Sequence, residues 1–238
     1  MQLINQVKPL LNQLGLHGIE LGLSNTNLHD NPGFYELLVD LLTKEVEYKK
    51  SRSLSYRLKI AKFPQVKLLS DTQAAKLVAT IDIGQVIQNK ENLFFIGGSG
   101  TAKTHLAIAL AYQALELGKK VKFYTLADLS RHLLQAQEHN YEMRLMLSLQ
   151  KFDVLVIDEL GYVPIDKKAS TLLFELFAKL YEQTSLLITT HLKFDEWSDM
   201  FGDLKVTKVV IDRLTHHCHI IETGNYSYRI KRSEEMIN

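Results

Sequence analysis

The chain has 238 residues, 46% of them hydrophobic and 23% charged, with four prolines. That is room for one large domain or a domain with a small appendage, and it argues against extensive disorder. The formal net charge of +1 names no class of partner, and Cys218, the only cysteine, rules out an intrachain disulfide and suits a reducing compartment. No apolar run approaches a membrane span, and the first twenty residues lack both the apolar core and the small-residue cleavage site of a secretory signal. The expectation is a soluble cytoplasmic protein with no membrane contact.

In chain order, the first region is rich in helix formers and unevenly charged. "NPGFYELLVDLLTKEVEYKKSRSLSYRLKIAKFP" predicts one long helix or two in succession, opened by Asn31 or Pro32 and ended by Pro64. Phe34, Leu37, Leu38, Leu41 and Leu42 recur along it at helical spacing. Between Lys44 and Lys67, eight Lys or Arg face two Glu, about +6 in all, which leaves about −5 for the rest of the chain (1 − 6). Tyr48 and Tyr56 are interleaved among these bases. The segment reads either as a solvated helix face or as a surface for nucleic-acid phosphates. In the second reading Lys49, Lys50, Arg52, Arg57, Lys59 and Lys62 contact DNA. A helical basic domain is expected over residues 1–75 and a second domain over 76–238.

From about Leu77 short apolar runs alternate with amphipathic stretches. Leu93–Ile96, Val121–Thr125, Asp153–Asp158 and Leu186–Thr190 read as strands. Lys103–Leu117, stopped by Gly118, and Ser170–Tyr181 read as helices. Continuous apolar strands separated by helices predict an α/β fold with a parallel sheet covered on both faces. "HIIETG" and "SYRIK" near the end are expected to pair as a hairpin.

"FFIGGSGTAKTHLAIAL" has the context of a phosphate-binding loop, because an apolar strand runs into glycines and a helix follows. Gly97, Gly98, Ser99, Gly100, Thr101 and Ala102 would cradle phosphates with backbone N–H groups at a helix N-terminus. Lys103 would reach the β- and γ-phosphates, and the Thr104 hydroxyl would ligate Mg²⁺. Ala102 occupies the position where the pattern has its last glycine. If that position needs a left-handed backbone, alanine costs about 1–2 kcal/mol. "FDVLVIDEL" then ends a strand in Asp158, a candidate to hold Mg²⁺ through its water shell, and Glu159, a candidate general base for the attacking water. Thr190 or His191, after the next strand, could orient water or the γ-phosphate. Arg213 and Arg229 could each stabilise phosphate charge in the transition state, in cis or across a subunit interface. His216, His217, Cys218 and His219 invite a zinc reading, but four adjacent residues do not readily converge on one tetrahedral ion and the spacing matches no standard site.

These stretches, with "KIAKFPQVK", "DELGY" and "ITTHLKFDEW", resemble the IstB family, ATP-binding helper proteins of insertion-sequence transposition systems. They are similar, more distantly, to the DnaC group of replicative helicase loaders; both are AAA+ ATPases. The resemblance runs from about Phe34 to Lys231. It implies a P-loop core without a large carboxy-terminal lid, and only 25 residues follow Arg213 (238 − 213). It places Lys103 and Thr104 on the Walker A positions and Asp158 and Glu159 on Walker B. His191 stands where such proteins usually carry a sensor asparagine. Arg213 matches an arginine proposed to act on a neighbouring subunit's nucleotide, and Arg229 a second arginine near the site. The implied function is an ATPase that binds ATP and Mg²⁺, assembles as a homo-oligomer on duplex DNA, and acts with the transposase of its own insertion sequence. A helicase loader, or a DNA scaffold with impaired catalysis, is the alternative.

Overall fold

In a computed structural model of the chain, residues 2–24, 32–162, 164–201 and 204–224 are described. The chain divides into two compact units, residues 1–56 and 57–238.

The first unit holds α1 (Gln2–Leu14), α2 (His17–Ser24) and most of α3 (Pro32–Ala61). Proline suits the first helical position, where its missing N–H has no intrahelical partner to lose. Val7 and Leu11 from α1 and Tyr35 and Leu42 from α3 form a small core. Leu37 and Leu41, expected on the same apolar stripe, are exposed in this unit. A helix buries one stripe, and here it runs through Tyr35, Leu38 and Leu42.

Residues 57–75, expected in the amino-terminal domain, pack within the second unit. The Arg57 guanidinium donates to the Leu115 carbonyl at 2.9 Å, Lys122 Nζ donates to the Ile60 carbonyl at 3.0 Å, and the Phe63 ring meets Phe123 edge-on at 6.3 Å.

Beyond short turns and α4 (Ile83–Gln88), the second unit alternates strand and helix. The strands are β1 (Asn92–Gly97), β2 (Val121–Thr125), β3 (Val154–Leu160), β4 (Ser185–Thr190) and β5 (Cys218–Gly224). The helices are α5 (Lys103–Glu116), α6 (Leu126–Glu138), α7 (Glu142–Leu149), α8 (Lys167–Leu180), α9 (Trp197–Phe201) and α10 (Leu204–Thr215). The strands form a parallel sheet in the order β2-β3-β4-β1-β5. Its apolar runs follow from burial on both faces. Phe94, Leu155, Ile157 and Ile188 pack with α6, α8 and α10, while the alternate residues Leu93, Phe95, Val154, Val156 and Leu187 are equally buried. Trp197 is fully buried among Phe94, Phe194 and Phe201.

"HIIETG" is a strand, as expected. It lies in β5, parallel to β1 from Asn92↔Cys218 to Gly97↔Gly224, as the fifth strand of the sheet. "SYRIK", the other half of the expected hairpin, lies outside the described residues. Among the described residues no helix is long and apolar enough to cross a membrane.

Candidate active site

Topology selects the place. The chain leaving β1 passes β4 and β3 to reach β2, while the chain leaving β4 goes the other way, past β1 to β5. Neighbouring strands whose connections diverge leave a crevice at their carboxyl ends. Gly97 ends β1 there, Asp158 and Glu159 lie near the end of β3, and Thr189 and Thr190 close β4.

The loop after β1 is braced by β5. A Cβ on Gly97 would stand 2.3 Å from Thr223 Oγ1 and 2.6 Å from the Gly224 carbonyl oxygen, so only glycine fits. The Gly98 N–H donates to the Gly224 carbonyl at 2.9 Å. The buried Thr101 hydroxyl donates to the Gly98 carbonyl at 2.9 Å and lies 2.6 Å from the Thr223 hydroxyl. Gly100 turns through φ 77°, which glycine adopts without steric cost. Ala102 caps α5 at φ 71°, ψ 15°, in the left-handed region. The alanine therefore does occupy a glycine-type conformation, at about 1–2 kcal/mol. Helix α5 still starts properly, with the Leu106 N–H donating to the Ala102 carbonyl at 2.9 Å. The first N–H groups of a helix have no intrahelical acceptor, the usual basis of phosphate binding.

Lys103 is 7% exposed, and its Nζ donates to the Gly97 and Gly98 carbonyls at 2.8 and 2.6 Å. Thr104 Oγ1 donates to Asp158 Oδ1 at 2.8 Å. These two hard oxygen donors, one hydrogen bond apart, fit Mg²⁺. Thr189, which sequence reasoning passed over, donates from its hydroxyl to the same Oδ1 and accepts the Glu159 N–H at 3.0 Å. The pairing of β3 with β4 shifts register between Ile157 and Leu160, and Glu159 takes φ 62° in that irregularity. Such a bulge re-aims side chains near sites. Here Asp158 is buried against Thr104 while Glu159 is exposed and lines the cleft.

The cleft encloses about 800 Å³, within the range of nucleotide-sized sites. Loop residues Ser99–His105, Glu159, Tyr162 and Thr189 line one side, and Gln65, Val66, Lys67, Asp71, Thr72 and Gln73 the other. His105 Nε2, 2.8 Å from the Leu68 carbonyl, ties this second wall to α5. The composition of residues 65–73 gave no signal of that position, because a wall is made by tertiary approach.

The other candidate residues are dispersed. His191 is exposed after β4, its ring 4.4 Å from that of Tyr162; Tyr162 lines the cleft and His191 does not. Arg213 is exposed in the last turn of α10, close enough to act electrostatically on Tyr181, which precedes β4. That is the end of the sheet opposite the phosphate loop, so Arg213 does not reach this chain's own cleft. Arg229 lies outside the described residues. Lys49, Lys50, Arg52 and Lys59 are exposed on α3, and Lys62 is exposed in the turn just after it. Arg57 is half-buried and engaged with the carboxyl end of α5, where a cation suits the helix dipole.

A family model described as IstB-like ATP binding protein matches residues 10–236. The ATP-binding protein of insertion sequence IS21 from Pseudomonas aeruginosa is 32% identical over 209 residues, covering 85% of this chain and 79% of that protein. That of IS5376 from Geobacillus stearothermophilus is 34% identical over 210 residues, covering 84% and 83%. Among solved structures, the DnaC helicase loader superposes with TM-score 0.54 at 18% identity over 65% of this chain and 95% of that one. AMPPCP-bound DnaA from Aquifex aeolicus gives 0.55 at 18% over 74% and 55%. These structures share the AAA+ P-loop fold. With a phosphate-type loop, an acidic strand end and a matching family model over nearly its whole length, the chain belongs to the IstB-like ATP binding protein family.

Proposed function

We propose that this chain is an ATP-dependent helper ATPase of DNA transposition, which assembles on duplex DNA and acts with the transposase of the same insertion sequence. One observation carries the reading: Lys103 and Thr104 open a helix at a glycine loop, Thr104 is bonded to Asp158, and Glu159 faces the same cleft. ATP would lie with its phosphates over residues 97–104 and its base toward the wall of residues 65–73. Lys103 would exchange its loop carbonyls for phosphate oxygens, and Thr104 and Asp158 would hold Mg²⁺. The ion neutralises charge on the phosphates when bound. Glu159 would take a proton from the attacking water.

Arg213, at the far end of the sheet, would complete the site of a neighbouring subunit, so ATP would favour a homo-oligomer. The exposed bases Lys49, Lys50, Arg52, Lys59 and Lys62 would contact duplex DNA.

Size-resolved assembly on duplex DNA, measured together with phosphate release, tests this. ATP with Mg²⁺ should promote DNA-bound oligomers, and Lys103→Ala should abolish them. Assembly indifferent to both would overturn the reading. Assembly without phosphate release above background would instead mark a scaffold with impaired catalysis, a reading that the strained Ala102 and the displaced His191 favour.

A further inference from the structure

His216, His217, Cys218 and His219 are adjacent, and adjacency argues against one shared ion. The fold separates them. Cys218 packs against the main core, and His219 Nε2 lies 2.8 Å from Glu91 Oε2. His216 and His217 remain together in the exposed turn between α10 and β5, their rings edge-on with centroids 4.2 Å apart. Glu182, from the loop between α8 and β4, closes on them. One ligand atom from each of the three residues lies within 4.8 Å of the others.

We propose that Glu182, His216 and His217 form a binding site for a divalent transition-metal ion of the zinc type, at the end of the sheet opposite the phosphate loop. Two imidazoles and one carboxylate leave a coordination position open for water, a donor set that suits Zn²⁺ better than Mg²⁺. The surroundings support the ligands. The Tyr181 phenol lies 3.3 Å from His216 Nδ1 and is hydrogen-bonded to Glu182. With the phenol O–H donating to Glu182, an Nδ1–H of His216 would donate to the phenol oxygen and leave Nε2 free to ligate. Such outer partners commonly orient a ligating imidazole.

The electrostatics favour a cation. Glu182 and Asp212 are acidic, the last carbonyls of α10 carry the negative end of its dipole, and Arg213 is the opposing charge. Glu182 also holds φ 54°, an uncommon conformation for a side chain other than glycine, at the point where its carboxylate meets the histidines. A bound ion would fasten the α8–β4 loop to the α10–β5 turn and add positive charge beside Arg213.

The test is calorimetric titration of the full, tag-free chain with Zn²⁺ in the absence of nucleotide. One Zn²⁺ should bind per chain at low micromolar free ion, and Co²⁺ in its place should give visible d–d absorption. His217→Ala and Glu182→Gln should each weaken binding by about tenfold or more. His139→Ala, at an exposed histidine elsewhere, should leave it unchanged. All three ligands are exposed, so the variants should fold, which unchanged thermal melting without metal would establish. Absence of stoichiometric binding, or binding that both ligand variants retain, overturns the proposal.

Discussion

At the scale of single residues, two side chains set the character of the cleft. Ala102 holds a left-handed backbone at φ 71° that glycine adopts freely. Ala102→Gly should therefore stabilise the protein by about 1 kcal/mol, the strain relieved less the extra chain entropy of glycine. A shift of the urea midpoint to higher concentration at constant slope would show it. Thr189 is 1% exposed, and its hydroxyl serves both Asp158 and the Glu159 N–H. Thr189→Val keeps the volume but removes the hydroxyl from the buried Asp158 carboxylate and from the half-buried Glu159 N–H, at about 1–3 kcal/mol. If Glu159 is the base, kcat for ATP hydrolysis should fall by about tenfold to a hundredfold. KM should change little, and Thr189→Ser should restore most of the rate. Equal losses in Thr189→Val and Thr189→Ser would assign the residue to packing alone.

At the scale of elements, the phosphate loop depends on its neighbours. β5 supplies Thr223 and Gly224, which fill the space a Gly97 side chain would need, and the Gly224 carbonyl accepts the Gly98 N–H. The segment after β4 has the opposite, purely structural role. In "FDEW" the Phe194 ring meets Phe94 at 5.2 Å and Trp197 at 5.5 Å, beneath the sheet face that α6, α8 and α10 cover. Trp197→Ala should cost about 3–5 kcal/mol. Trp197 is the chain's only tryptophan, so wild-type unfolding is followed by its fluorescence and the variant's by circular dichroism. A loss under 1 kcal/mol would mean that the surrounding rings close the cavity.

At the scale of the whole second unit, basic character extends from Lys62 to the edge strand β2. Burial pushes the Lys122 ammonium down, with Lys62 adding to the effect. Burial likewise depresses His132, and then Lys122 and Lys62 depress it further. A histidine whose folded pKa lies below its ordinary 6.5 binds more protons when unfolded, so its contribution to stability is complete above that value and is lost as pH falls through the interval below it. Melting temperature should drop from pH 7.5 to 5.5, and His132→Gln should flatten that slope. A variant with the wild-type slope would place the pH dependence on other groups.

The sequence by itself determined the local chemistry: the strand–glycine loop–helix, the acidic strand end, the apolar strands of a sheet buried on both faces, and the helix beginning at Pro32. These are legible because backbone preference and burial pattern act over a few neighbouring residues. The tertiary structure alone decided which distant residues meet. It placed Thr189 under Asp158 and Glu159, set residues 65–73 opposite the phosphate loop, and moved β5 beside β1 to brace that loop. It drew Arg57 into the cap of α5 and brought Glu182 to His216 and His217. Such approaches are fixed by strand order and packing across the sheet, and no spacing along the chain encodes them.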